Sequence, residues 1–205
     1  HNAVKTAIDS AKKIQARQLN ESVTRVETIC AAEIASENIN WLWNGWLASG
    51  KIHILGGAPG TGKTTLCMDL AAIISRGGLW PDGTKSRLGN VVIWSGEDGL
   101  GDTLTPRLNK ADALLSNVYF VTGTMKGNKR SSFDPALDME LLQEKIEEIG
   151  NVKLLIIDPI VSAVSGDSHK NAEVRRSLQP LADLAIRFGI ALIGVTHFTK
   201  ATVGR

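Results

Sequence analysis

From Lys51 onward the chain alternates between short apolar runs and segments whose apolar residues return every three or four positions. The runs are Ile52 to Leu55, Val91 to Trp94, Val118 to Val121, Leu154 to Ile157 and Ile190 to Val195. They are aliphatic and too short for buried helices, which predicts strands covered on both faces. The segments between them predict helices over Lys63 to Ser75, Leu104 to Leu115, Met139 to Ile149 and Ala172 to Phe188. Strands and helices alternating at this spacing imply right-handed crossovers onto a mostly parallel sheet, an α/β fold.

Upstream the pattern changes. Val4, Ala7, Ile8, Ala11 and Ile14 recur at helical spacing in a polar background and predict an amphipathic first helix. Val23 to Ile29 is β-branched and suits a strand, while Ala31 to Trp43 fits neither period and ends in the cluster Trp41, Trp43 and Trp46. Residues 1–40 are therefore expected to form an N-terminal extension to a domain spanning 41–205. There is no internal repeat and no low-complexity tract.

Composition narrows the partners. With 205 residues, 43% of them hydrophobic, the chain suits one well-filled core. Lys and Arg number 23 against 21 Asp and Glu, so the net charge of +2 does not mark a nucleic-acid binder and any polyanion contact must be local. Lys126, Lys129 and Arg130, with Gly127 and Ser131, form one basic loop that could track phosphates, although a solvated surface loop is the simpler expectation. The two cysteines, Cys30 and Cys67, lack metal-ligand spacing; both are expected to be buried, in a reducing cytoplasm. No signal peptide and no apolar run of roughly 20 residues is present, so no membrane association is expected. The start at His1 and the polar end at Arg205 suggest a piece of a longer protein.

The chemistry centres on Gly57-Ala58-Pro59-Gly60-Thr61-Gly62-Lys63-Thr64, which fits G-x-x-x-x-G-K-[ST] between a predicted strand and a predicted helix. Glycines allow positive φ and bring successive N–H groups around an anion, and the helix that follows adds its positive end. The nucleotide-binding set is Gly57, Ala58, Pro59, Gly60, Thr61, Gly62, Lys63, Thr64 and Thr65. Lys63 would balance β- and γ-phosphate charge and the Thr64 hydroxyl would ligate Mg²⁺. Asp158, at the end of the apolar run from Leu154, is the expected second holder of the metal shell. Without such a loop it would be an ordinary Asp-Pro turn. Glu97, just past Val91 to Trp94, is the candidate base for a hydrolytic water, with Asp98 its nearest rival and a solvated turn the alternative. His197, closing the last strand, would lie beside the γ-phosphate as a sensor or serve as a strand-end polar residue.

Three other features carry less. Asp98 to Gly101 and Asn109 to Asp112 mimic the DxxG and NKxD motifs of GTPases, but Asn109 falls inside a helical pattern rather than after its own strand. Guanine specificity is unsupported. Asp167, Ser168 and His169 read as a helix cap, and no zinc is expected. The tryptophans could stack adenine, but packing against the sheet is favoured, and none is taken as a site.

The P-loop, the step Ser95-Gly96-Glu97-Asp98, the strand ending Ile157-Asp158-Pro159 and the terminal Thr196-His197 together resemble the RecA-like ATPases. Trp41-Leu42-Trp43, Trp80-Pro81-Asp82-Gly83, Pro106-Arg107-Leu108 and the stretch Gly166 to Arg176 make the chain most similar to the RepA-type hexameric helicase and AAA family ATPase branch. The resemblance covers Trp41 to Arg205. It implies a three-layer RecA-like core that hydrolyses ATP with Mg²⁺, often as a homo-oligomeric ring such as a hexamer, with single-stranded DNA as a potential partner. By the same carry-over Glu97 becomes the catalytic base, Lys63 and His197 join it in catalysis, and Lys200 and Arg205 are candidates to act on the adjacent subunit's ATP. The chain ends before the family's further strand and nucleic-acid-facing loop. A small-molecule kinase, which would need a basic lid, and a nucleotide-dependent assembly switch use the same loop and stay open.

Overall fold

In the computed structural model, residues 26–164 and 171–197 are described, the backbone alone at 171–173. The chain divides into two compact units, His1–Asn38 and Ile39–Arg205. In the first, the described residues hold one 3-10 turn, Ala31–Glu33, and Val26, Ile29, Ile34 and Cys30 are exposed. The expected strand over Val23 to Ile29 is absent from its described part: β-branched residues alone do not make a strand without a neighbour to pair with. Cys30 likewise departs from the buried position expected of it, because no core forms around it among the described residues. The amphipathic helix expected over Val4 to Ile14 lies outside the described residues.

The second unit opens with a small antiparallel hairpin, β1 (Trp41–Trp43) and β2 (Leu47–Ala48). There follow β3 (Ile52–Gly57), α1 (Lys63–Arg76), β4 (Asn90–Ser95), α2 (Thr105–Lys110) and β5 (Val118–Phe120). A second hairpin, β6 (Thr124–Lys126) and β7 (Lys129–Ser131), precedes α3 (Met139–Ile149), β8 (Val152–Asp158), α4 (Asn171–Phe188) and β9 (Ala191–His197). The five longer-range strands form one parallel sheet in the order β3-β9-β8-β4-β5. All five predicted strands are present, as is the α/β architecture.

Alternation along the strands explains the layers. Val91, Ile93, Leu154, Ile156, Ala191 and Ile193 pack into one cluster with Met68 and Leu70 of α1 and Leu108 of α2. Their neighbours Val92, Trp94, Leu155, Ile157 and Leu192 enter a second cluster with Leu142 and Ile146 of α3 and Leu181 and Leu184 of α4. Successive strand side chains point to opposite faces, so each apolar run feeds both cores, and helices cover the sheet on both sides.

The helix predicted over Leu104 to Leu115 takes a different form. A π turn over Leu100–Leu104 leads into α2, which holds Pro106 in its first turn, where proline's missing N–H is tolerated. The helix stops at Lys110 because the Arg76 guanidinium draws the carbonyls of Ala111 and Asp112, and Asp112 turns to φ 60°. Asn109 therefore lies inside α2 rather than at the end of a strand.

Three of the five tryptophans form a stack. Trp43 lies 4.9 Å from Trp80 at an interplanar angle of 4° and 5.3 Å from Trp46, and its indole N–H donates to Asp82. Trp80 follows the far end of α1, roughly 21 Å of helix rise from the loop that precedes Lys63. The stack thus seals the first core rather than serving a ligand at the loop. Among the described residues, no helix is long and apolar enough to cross a membrane.

Candidate functional site

Strand order decides what meets what. Because β9 is inserted between β3 and β8, Gly57 pairs with His197, while Ser95 pairs with Asp158 across β4 and β8. The C-terminal ends of four strands therefore share one rim, where parallel α/β sheets present their ligand crevices.

On that rim the loop from Gly57 to Gly62 curls over the start of α1. Gly60 and Gly62 sit at φ 75° and 86°, and Gly57 faces inward, where a Cβ would come within 3.2 Å of Thr61 Oγ1. Thr61 closes the curl by donating to Ala58 O at 2.8 Å. Gly62 caps α1 without a side-chain hydrogen bond, so the first-turn amides of Lys63, Thr64 and Thr65 face the same concavity as the loop. Ala58, Pro59, Thr61 and Thr65 are exposed along it. Lys63 is only 7% exposed, and its ammonium is held inside the curl by Gly57 O at 3.0 Å and Ala58 O at 2.8 Å. A cation set behind a ring of N–H donors makes an anion cradle.

Beside the cradle, the Thr64 hydroxyl donates to Asp158 Oδ2 at 3.0 Å. Asp158 is 4% exposed, and its carboxyl is pushed above the usual range. Burial is the main cause, the neighbouring Glu97 and Asp98 charges add to it, and the Thr64 hydrogen bond and His197 act against it. A buried carboxylate whose charge is opposed on these grounds gains most from a nearby cation. Its donor set with Thr64, one hydroxyl and one carboxylate, consists of hard oxygens suited to Mg²⁺, which keeps further positions for water and phosphate. One turn along α1, Cys67 is fully buried and its thiol is pushed up to about 12 by burial and the Asp158 charge, so it stays an inert apolar filler.

At the other side of the rim, Glu97 Oε2 lies 3.2 Å from His197 Nε2. Both reach solvent, with side chains 52% and 35% exposed respectively. Asp98 turns the other way: its amide donates to Ser95 Oγ, and its carboxylate takes a 3.3 Å ion pair from Arg107 of α2. Geometry thus separates the two neighbouring acids, directing Glu97 toward β9 and Asp98 toward α2.

Two residues that the sequence did not single out as functional help set this arrangement. Arg107 lies nine positions after Asp98, and no periodicity ties the two. Gly96 must lack a side chain, because a Cβ there would lie 2.9 Å from the Trp94 indole, over which the segment passes. The Gly in Ser95-Gly96-Glu97 was the available signal. Among the predicted site residues, Gly57 to Thr65, Glu97, Asp158 and His197 come together at this rim; Lys200 and Arg205 lie outside the described residues.

Comparison with known proteins agrees with this architecture. A family model described as an AAA domain matches residues 16–203. The DNA repair protein RadA of Halalkalibacterium halodurans is 26% identical over 186 residues, covering 88% of this chain and 35% of that protein. RadA of Streptococcus pneumoniae is 26% identical over 164 residues, or 80% and 34% of the two chains. RadA of Bacillus subtilis is 25% identical over 193 residues, or 91% and 37%. The chain spans about a third of the length of these relatives.

Proposed function

The chain belongs to the AAA domain family, with a RecA-like P-loop core, and from that premise we propose that it binds Mg-ATP on the segment Gly57 to Thr65 and hydrolyses it. The observation that carries this reading is the Thr64 hydroxyl on the buried Asp158 carboxylate, alongside an anion cradle and, on the same rim, the solvent-reaching Glu97 paired with His197.

In this account the loop amides and the first turn of α1 bind the phosphates, and Lys63 exchanges its two carbonyl partners for β- and γ-phosphate oxygens. Thr64 and Asp158 would hold magnesium, which would supply charge neutralisation for the phosphates. Glu97 orients a water and takes its proton as the water oxygen bonds to the γ-phosphorus and the bond to the bridging oxygen breaks. His197, hydrogen-bonded to Glu97, registers whether the γ-phosphate is present.

The finer reading is a DNA-associated motor. The relatives named as DNA repair proteins support it, as does the resemblance of the 41–205 domain to RepA-type helicases, with 1–40 as an extension. On this reading copies assemble as a homo-oligomeric ring such as a hexamer, with Lys200 or Arg205 reaching a neighbour's ATP. Measuring phosphate release with and without single-stranded DNA, together with solution mass with and without ATP, tests it. DNA-stimulated release and an ATP-dependent rise in mass are expected. Phosphate transfer to a small acceptor would instead indicate a kinase, and ATP-driven assembly without turnover would indicate a switch.

A further inference from the structure

The hairpin β6–β7 is an ordered ribbon rather than a formless loop. Gly127, at φ 59°, makes the two-residue turn with Asn128, and the register pairs Thr124 with Ser131, Met125 with Arg130 and Lys126 with Lys129. Side chains alternate between the faces of such a ribbon, so Thr124, Lys126, Lys129 and Ser131 share one face. That face presents two ammonium groups and two hydroxyls with no carboxylate among them.

Several observations turn this from a basic stretch into a surface with a preferred partner. Between Asp112 and Asp134 the only charged residues are Lys126, Lys129 and Arg130, in a chain whose total charge is only +2. Like charges directly opposite one another in a two-stranded ribbon are destabilising, and Lys126 and Lys129 stand so, both exposed. Neither has an ion-pair partner among the described residues. Arg130, by contrast, is committed to the backbone, donating to Thr122 O at 3.0 Å and so bracing the hairpin base. A mutually repelling pair flanked by hydroxyls is relieved by a chain of spaced anions.

Position adds the second link. The hairpin rises after β5 on the rim that carries Glu97, and a cavity of about 480 Å³ is lined jointly by Thr122, Arg130 and Phe133 from its base and by Ser95, Gly96 and Asp98. Phe133 packs on Trp94, the indole beneath Gly96.

We infer that the Thr124-Lys126-Lys129-Ser131 face of the β6–β7 hairpin binds the phosphodiester backbone of single-stranded nucleic acid, next to the segment that carries Glu97. This rests on the DNA-associated reading above and names the surface that makes the contact. Backbone recognition of this kind is independent of base sequence and strongly salt-dependent.

The test is fluorescence anisotropy of a labelled oligo-dT strand against the full chain, titrated with salt, for wild type, Lys129→Gln and the double variant Lys126→Gln/Lys129→Gln. Melting temperature and DNA-free ATP turnover, measured on the same samples, should stay at wild-type values. The double variant is expected to lose roughly tenfold in affinity and to lower the slope of log affinity against log salt by about 1.4, with the single variant near half of that. Wild-type affinity and slope in both variants would overturn the hairpin assignment and leave the motor reading standing. A wild-type chain that binds no oligo-dT would overturn both, while ATP hydrolysis would stand or fall separately. Binding to phosphatidylserine vesicles in preference to the oligonucleotide would also overturn it.

Discussion

Thr64 and Asp158 meet in the interior of the rim, with Asp158 4% exposed, whereas Glu97 and His197 meet at its open side with half of the Glu97 side chain in water. Both pairs are hydrogen-bonded at similar lengths, 3.0 and 3.2 Å, so distance does not separate them. Burial does. Asp158 is fixed by the two cores around β8, and its charge is opposed until a cation shares it. Glu97 stands on an exposed turn braced through Asp98 and Arg107 and by its own contact with His197, where water can reach it. The contrast suits a division between holding a nucleotide's metal and handling a reactive water.

Substitutions on the two sides should separate binding from chemistry. Lys63→Ala, which removes the cation within the cradle, is expected to have the largest effect, lowering kcat/KM for ATP by roughly 10³–10⁴ with weakened nucleotide binding by calorimetry. Glu97→Gln should reduce kcat by about 10³ while holding the ATP Kd within about threefold, since an amide keeps the shape but not the proton affinity. Normal turnover by this variant would remove Glu97 from the base role.

Asp158→Asn should lower turnover by about 10² and abolish the Mg²⁺-dependence of ATP binding. It also carries a stability signature of opposite sign. Because the folded-state pKa of Asp158 is raised, the fold binds its proton more tightly than the unfolded chain does; stability from this group is full at low pH and is lost as pH rises through the raised folded pKa. At neutral pH the Asn variant should therefore melt higher than wild type without magnesium, and thermal melts from pH 4 to 8 should show a smaller decline for the variant. A variant melting below wild type throughout would contradict the burial argument. The smallest effect is expected from His197→Gln, about tenfold in kcat with ATP binding retained, measured by phosphate release.

Much of this is legible in the sequence. The central strands β4, β8 and β9 are runs of apolar residues buried on both faces, while the edge strands β3 and β5 are only partly covered, with Ile54 and Tyr119 exposed. Such runs are a signal that does not depend on distant partners, and the P-loop states its own geometry through Gly60, Gly62 and Lys63. The order of the strands was not legible, and that order is what sets His197 against Gly57 and Asp158 against Ser95. Sequence favours Glu97 over Asp98 as the base but does not show the contact that sets the two acids apart, which is Arg107 pairing with Asp98. The hairpin β6–β7 escaped as a loop because its strands are only three residues long, although Gly127-Asn128 was a turn signal. Val23 to Ile29 failed in the opposite direction: propensity suggested a strand where the described part has no neighbour to pair with.

The account turns on the rim being a site for Mg-ATP, and calorimetric titration of ATP into the Glu97→Gln chain, with and without magnesium, tests this most directly because the nucleotide is not consumed. One saturable site per chain, tightened by magnesium, is the predicted result. A folded chain that gives no saturable heat with ATP, or the same heat regardless of magnesium, would contradict it.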